Sequence, residues 1–452
     1  MYLLYSLLLT FGFVLLLPRF ALDAFRTRKY VTGLGERLGQ LPNFKIDGPT
    51  IWLHCVSVGE TEAAKPLVRA LNERFPNYRL VVSTTTVTGQ RLARTAFAKN
   101  AAAVFYFPID WTWVAGRVLR KVDPAAVLIM ETELWPNFLR ECRRRSIPVA
   151  IVNGRISQKS SRRYQMIRGF VRRMLNDVSL ALMQSEQDAA RILELGIASD
   201  KVLVVGNLKF DSAGISMADQ GLAAGLRERF GFSRQQRVMV AASTHAPEEK
   251  VVIEAFKSIK ASTPDQRVRL IIAPRHPERF TEVADLLSSS NYNWARRSDP
   301  ARDDDHNCEI VLLDSIGELR AAFAVGDVAF IGGSIAPHGG HNVLEPAAQG
   351  VCVVTGPHTQ NFTAIVNGLR DEDAIAQLPN VADAAAVLAS TISELLINDS
   401  RRIETGKRAK AVCERNTGAT QRALEQIANL IDVRESDAII PLPSLHVSTA
   451  AK

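Results

Sequence analysis

The chain has 452 residues, too many for one ordinary core and enough for two domains of ~100–200 residues each. Hydrophobic residues make up 47% and charged residues 23%, a globular balance that excludes a disordered chain. With 55 Lys and Arg against 47 Asp and Glu the formal charge is +8; it demands no nucleic acid, and suits an anionic membrane surface or a phosphorylated substrate equally.

The chain opens MYLLYSLLLTFGFVLLLP, with no charged side chain before Arg19. Such a run approaches the ~17–25 apolar residues that span a bilayer. A signal peptide calls for a basic n-region and a small-x-small cleavage site, and neither is present. Arg19, Arg26, Arg28, Lys29 and Arg37 all follow the run, which orients the body to the cytoplasmic side. Residues 1–18 are therefore expected to anchor the chain in the inner membrane, among its lipids, followed by a basic linker over 19–49.

From residue 50 onward, short apolar runs alternate with amphipathic stretches of helical length. The runs 51–56, 79–84, 126–130, 148–153, 180–183 and 202–206 read as strands, with helices over 63–73 and 88–98. A second series follows at 237–243, 268–274, 309–314, 328–333 and 351–356. Continuous apolar strands separated by helices predict parallel sheets covered on both faces. The expected fold class is α/β, with two Rossmann-like, doubly wound domains over 50–210 and 211–433, hinged near 207–235 and facing a cleft. Ligands then sit at the C-terminal ends of the strands. The tail 434–452 reads as disordered. Five cysteines form no CxxC pair and sit mostly in apolar runs, so they read as free thiols.

Candidate chemistry lies just after the strands. Glu60, in Val58-Gly59-Glu60, stands at a helix start, as a complement to the helix dipole or as a general base. Glu131 and Glu133 in METELWPN (130–137) end a strand before the helix-starting Pro136, as caps or as ligand-facing carboxylates. Ser83 to Thr86 and Asn153-Gly154-Arg155 read as turns or phosphate contacts. Lys209 in GNLKFD (206–211) is either an exposed linker lysine or the neutraliser of a phosphate or carboxylate. In the second domain, prolines flank Arg275-His276, and arginine's planar fork suits a phosphate. Ser243-Thr244-His245 closes another strand, and Asp314 to Leu319 closes a third and begins a helix, offering N–H groups to an anion. In GGSIAPHGGHNVLEPAAQG (332–350), Asn342 and Glu345 stand three apart, as a capping box or as contacts to a ribose or base. His338, His341 and His358 have no standard metal spacing, so a structural or substrate-contacting role is preferred.

Together HCVSVGE (54–60), METELWPN (130–137), GNLKFD (206–211), APRHPERF (273–280) and GGS…HGGHNVLEPA (332–347) closely resemble the Kdo transferase family, the 3-deoxy-D-manno-octulosonic acid transferases of lipopolysaccharide assembly. The resemblance runs from the anchor to about residue 430. It implies a GT-B fold and transfer of Kdo from CMP-Kdo to the lipid A precursor lipid IVA. It implies Glu60 as base, and Glu131 and Lys209 as transition-state stabilisers. It implies a CMP pocket of Pro274, Arg275, Ile316, Gly317, Glu318, Asn342, Val343, Leu344 and Glu345. No cofactor, metal or nucleic-acid partner is expected, and single displacement would invert the anomeric centre. Two other readings are separable: a UDP-sugar enzyme, by donor competition, and a tethered binding module, by absence of turnover.

Overall fold

Strand β1 (Thr50–Cys55) is buried along its whole length, as a strand covered on both faces requires. The computed structural model, which describes residues 1–26, 32–42, 47–233, 235–264 and 267–439, places this strand centrally in a seven-stranded parallel sheet. Its partners are β2 (Arg79–Thr84), β3 (Ala103–Tyr106), β4 (Pro124–Met130), β5 (Val149–Gly154), β6 (Leu180–Met183) and β7 (Val202–Val204). The order is β3-β2-β1-β4-β5-β6-β7, so the winding reverses between β1 and β4. That reversal opens the crevice in which doubly wound sheets place their ligands.

A second parallel sheet holds β8 (Gln236–Thr244), β9 (Arg267–Pro274), β10 (Trp294–Arg296), β11 (Ile310–Leu312), β12 (Val328–Ile331), β13 (Cys352–Thr355) and β14 (Ala376–Gln377). Its order is β10-β11-β9-β8-β12-β13-β14, with the reversal between β8 and β12. Strands β3, β10 and β14 go beyond the expected runs; each is only two to four residues long. The five cysteines are buried free thiols.

Contacts divide the chain into a first unit, residues 1–212 plus 417 onward, and a second unit, Ala213–Asn416. This corrects the expected second domain of 211–433. The helix Ala419–Ile439 belongs to the first unit, because its apolar face finds its partners there: Ala423, Leu424, Ile427 and Ile431 share a core with Leu67, Leu71 and Val82. Asp211 fixes the helix start, accepting from Gly418 N at 2.7 Å and Thr420 N at 2.6 Å. The helix also runs into the tail expected to be disordered, and residues 440–452 lie outside the described residues.

The N-terminal helix spans Tyr2–Arg26, past the expected anchor end at residue 18. Its Tyr2–Arg19 stretch is, among the described residues, the one long and apolar enough to cross a membrane. One stripe docks on the first unit. Tyr2 donates to Asp177 (3.1 Å), Ser6 accepts from Asn137 Nδ2 (3.0 Å) and Thr10 accepts from Trp111 Nε1 (3.1 Å). Leu3, Leu4, Leu7, Leu8, Phe11 and Leu15 are exposed on the rest of the helix. Residues 27–31 and 43–46 of the expected linker lie outside the described residues.

Candidate active site

Cys55 ends β1, and Ser57 N-caps the helix Val58–Arg74 that follows. Glu60 is the third residue of that helix. Its carboxylate accepts from Val56 N at 2.7 Å and from the Ser57 hydroxyl at 2.9 Å. The carboxylate thus braces the helix start, as a first-turn acid does, and it is buried where the winding reverses between β1 and β4. Its pKa is pushed up to about 7, chiefly by burial and then by the charge of Glu131, against the pull of Val56 N–H and Ser57 O–H. At neutral pH such a group is poised to take a proton.

Glu131 follows β4, on the other side of the same reversal. Its backbone is left-handed, with φ 55°, an uncommon conformation for a residue with a Cβ. Lys209 Nζ stands 3.6 Å from Glu131 Oε1, both side chains being largely but not wholly buried. Lys209 is thus no exposed linker lysine. Asn153, also left-handed (φ 57°), is the last residue but one of β5 and accepts from Leu208 N at 3.0 Å, which pins the 206–211 turn. Burial, and next the Glu131 charge, hold Glu133 above the usual carboxylate range.

Capping of the helix Pro136–Arg144 falls to neither glutamate of METE. Asp110, from the loop after β3, accepts from Asn137 N (3.0 Å) and Phe138 N (2.7 Å). Sequence reasoning missed Asp110, because its partners are 27 and 28 residues away. Ser83 and Thr84 are the buried end of β2, with Ser83 bonded to Trp52 Nε1 at 2.8 Å, and Thr86 caps the helix Val87–Ala96.

In the second unit Pro274 is buried at the end of β9, and Arg275 N donates to Thr244 O at 3.0 Å. Ile316 is exposed, Gly317 has φ 93°, and Glu318 takes a forked ion pair from Arg297 (2.8 and 3.0 Å). Asn342 and Glu345 do not form the capping box: Asn342 accepts from Leu344 N at 3.1 Å, while Glu345 lies 3.5 Å from Arg320. The helix here is only Leu344–Ala348, with Val343 at its start. The loop between β12 and that helix is held by a residue that sequence reasoning passed over. Fully buried Glu248 accepts from His245 N, Gly333 N, Ser334 N, Ile335 N and Ala336 N at 2.7–3.1 Å.

Glu60, Glu131 and Lys209 thus come together in the first unit. Of the nine residues of the expected CMP pocket, Pro274 ends β9 of the second unit and the other eight follow β9, β11 and β12.

A family model described as 3-Deoxy-D-manno-octulosonic-acid transferase (kdotransferase) matches residues 32–212. The chain is 34% identical to a 3-deoxy-D-manno-octulosonic acid transferase of Haemophilus influenzae, over 93% of this chain and 96% of that one. Identity to the enzyme of the same name from Bordetella pertussis is 33%, over 83% of this chain and 86% of that one. Among solved structures, UDP-GlcNAc 2-epimerase from Neisseria meningitidis superposes with a TM-score of 0.56 at 12% identity, covering 84% of this chain and 100% of that one. At that identity the likeness concerns fold alone, a GT-B-like pair of parallel-sheet domains. With five motifs in order and relatives matched along almost their whole length, the chain belongs to the 3-deoxy-D-manno-octulosonic acid (Kdo) transferase family.

Proposed function

We propose that the protein transfers Kdo from CMP-Kdo to lipid IVA at the cytoplasmic face of the inner membrane, with inversion and without a metal. The observation that carries this reading is the buried Glu60 carboxylate, with a pKa of about 7, beside Glu131 and its Lys209 partner. Glu60 takes the proton of an acceptor hydroxyl as its oxygen attacks the anomeric carbon. The new C–O bond forms on the face opposite the leaving group, and the bond to the phosphate breaks with its electron pair on CMP. As CMP departs the sugar gains oxocarbenium character, which the Glu131 carboxylate stabilises, while Lys209 and Arg275 offset charge on the phosphate or the sugar carboxylate. The donor is held by Pro274, Arg275, residues 316–318 and residues 342–345. The Tyr2–Arg26 helix anchors the chain among membrane lipids, where a diphosphorylated lipid acceptor lies.

The test is Kdo transfer from CMP-Kdo to lipid IVA in detergent with a chelator present, wild type beside Glu60→Ala, with the anomeric configuration of the product read by NMR. The reading stands if wild type forms an inverted product and the variant forms almost none yet still binds CMP. An inactive wild type, a retained configuration, or a fully active Glu60→Ala would sink the substrate, the displacement or the base respectively.

A further inference from the structure

The first half of the N-terminal helix is two-faced. Tyr2, Tyr5, Ser6, Leu9, Gly12 and Phe13 are half-buried, while the residues between them are exposed. Steps of three and four put the half-buried residues on one face. The hydroxyl side chains Tyr2, Tyr5, Ser6 and Thr10 lie on that face or beside it, and the opposite face is built of leucines and Phe11. The docked face is held along its length. Tyr2, Ser6 and Thr10 bond Asp177, Asn137 and Trp111, the Phe170 ring lies 5.5 Å from Tyr2 and 6.1 Å from Tyr5, and Phe13 meets Trp111 edge-on at 5.0 Å. Residues 2–13 cover ~16 Å of helix axis.

This docking conflicts with a helix that crosses a bilayer. Tyr2 to Arg19 rises ~26 Å, close to the ~30 Å of hydrocarbon. In a span with Arg19 at the near surface, Tyr2 lies at the far one. Tyr2 is bonded to Asp177, its ring lies 4.5 Å from the Arg140 guanidinium, and Arg143 pairs with Asp177 at 2.8 Å. A docked span would therefore drag these charges through the layer that least tolerates them. Undocking is no escape, since it takes the Ser6 and Thr10 hydroxyls from Asn137 and Trp111 into hydrocarbon, which offers no replacement partner. The surroundings of the helix suit a different placement. Beside Tyr2, the hollow of Arg140, Arg143, Arg144 and Arg173 sets four guanidinium groups against one aspartate. Met166 and Ile167 are exposed at the join between the helices Gln158–Met166 and Arg168–Leu175, the second of which carries Phe170. Beside Phe13, exposed Trp113 stacks on Trp111 at 6.0 Å, with the Arg117 guanidinium 5.4 Å from its ring. Indoles favour the headgroup level of a bilayer, and guanidinium groups favour lipid phosphates.

We propose that the helix Tyr2–Arg26 lies in the plane of an anionic bilayer surface and does not cross it. Its leucine face sinks ~5–10 Å into the headgroup and acyl boundary, with the arginines and Trp113 on the headgroups around it. The proposal rests on the membrane placement made above and replaces a spanning anchor with an in-plane one. The polar face that an interfacial helix needs is supplied by the unit it docks on, which explains a helix with no charge of its own before Arg19. The placement also serves the reaction. Trp111 follows β3 and Asn137 follows β4, so the docked helix runs beside the strand ends at which Glu131 stands. A lipid acceptor then reaches the crevice with its acyl chains still in the leaflet.

The experiment places a nitroxide on the full chain at Leu4→Cys, Leu8→Cys or Leu15→Cys, one at a time, in vesicles of phosphatidylethanolamine and phosphatidylglycerol. The three leucines are exposed on one face, so the changes disturb no packing, and the five native thiols are buried from the label. Depth is read from relaxation of the label by oxygen against a water-soluble nickel chelate. An in-plane helix gives all three labels one depth, whereas a span separates Leu4 from Leu15 by ~16 Å. A cleavable tag ahead of Met1 reports the side: in sealed vesicles with the catalytic body outside, protease removes it from an in-plane helix and reaches it on a span only after detergent. Graded depths or a protected tag overturn the proposal and leave the membrane placement standing. Spin–spin broadening between labels would mean that a second copy covers the leucine face, and overturns it too. A chain that does not bind the vesicles at all overturns the membrane placement itself, and the proposal with it.

Discussion

Glu60 is subject to opposing influences whose balance sets its use. The first turn of a helix and two hydrogen bonds favour the ionised carboxylate. Burial and the Glu131 charge oppose it and win, leaving a pKa of about 7. As a base, Glu60 must be ionised, so kcat/KM should rise as pH climbs to about 7 and then level off. Glu131→Gln removes the like charge, so the acid limb of its pH–rate profile should move down even as the maximal rate falls. A limb that stays in place would mean that Glu60 is not the titrating group. The same shift has a stability consequence of opposite sign. A carboxylate with a raised folded-state pKa contributes most below its unfolded value of ~4.3, and that contribution is lost as pH rises through the folded value. Glu60→Gln should therefore be more stable than wild type at pH 8, by up to about 3 kcal/mol in denaturant titration, with the gap closing by pH 4. Glu248 is the contrasting case, its two oxygens shared among five backbone donors. Glu248→Gln keeps one acceptor and turns an NH2 toward N–H groups. The expected loss is about 2–5 kcal/mol in the second unit, together with weaker CMP binding, since bonds to a charged acceptor contribute ~1.5–3 kcal/mol each.

Elements with a strong local signal were legible in the sequence, and those fixed by distant partners were not. Long apolar strands such as β1, β4, β8 and β9 announce themselves because both their faces are buried. Strands β10 and β14, with three and two residues, are too short to show a period. The Glu60 turn, METE and GNLKFD were readable as strand-end motifs. What places them was not: Asp110 on the helix after METE, Asn153 on the 206–211 turn and Glu248 under the glycine loop act across 27 to 88 residues. The N-terminal helix was legible as apolar, yet its docking stripe emerges only when Tyr2, Ser6 and Thr10 meet Asp177, Asn137 and Trp111. Beside it, Arg140, Arg143, Arg144 and Arg173 line a basic hollow of about 440 Å³. An apolar face flanked by arginines suits an anionic bilayer surface. The full chain should float with vesicles of phosphatidylethanolamine and phosphatidylglycerol even in 0.5 M salt. A chain lacking residues 1–26 should float only at low salt, held by the arginines alone. Equal flotation of both chains at high salt would remove the helix from the account.

At the scale of the molecule, each unit owns its core. Leu67, Leu71, Val82 and Ile427 pack in the first, and Met239, Phe256, Ile272 and Phe330 in the second. Because the first unit is completed only by the helix Ala419–Ile439, a chain ending at Asn416 should lose that unit's cooperative melt while keeping the second's. Separate cores also allow a ligand to report its own address. Anything that binds one folded unit stabilises it by RT ln(1 + [L]/Kd), about 2.7 kcal/mol at one hundred times Kd. For a unit of about 200 residues that corresponds to a rise of roughly 5–10 °C. Calorimetry of the full chain should therefore show two transitions. CMP should raise the one that survives in the Asn416-terminated chain and leave the other nearly fixed. Glu60→Ala should leave the CMP shift intact, because that residue belongs to the first unit. Arg275→Ala should abolish most of it if, as proposed above, its guanidinium fork in the second unit grips the phosphate. If CMP instead raised the first unit's transition, the pocket assigned to residues 274–345 would be wrong, even if the Kdo-transfer assay succeeded.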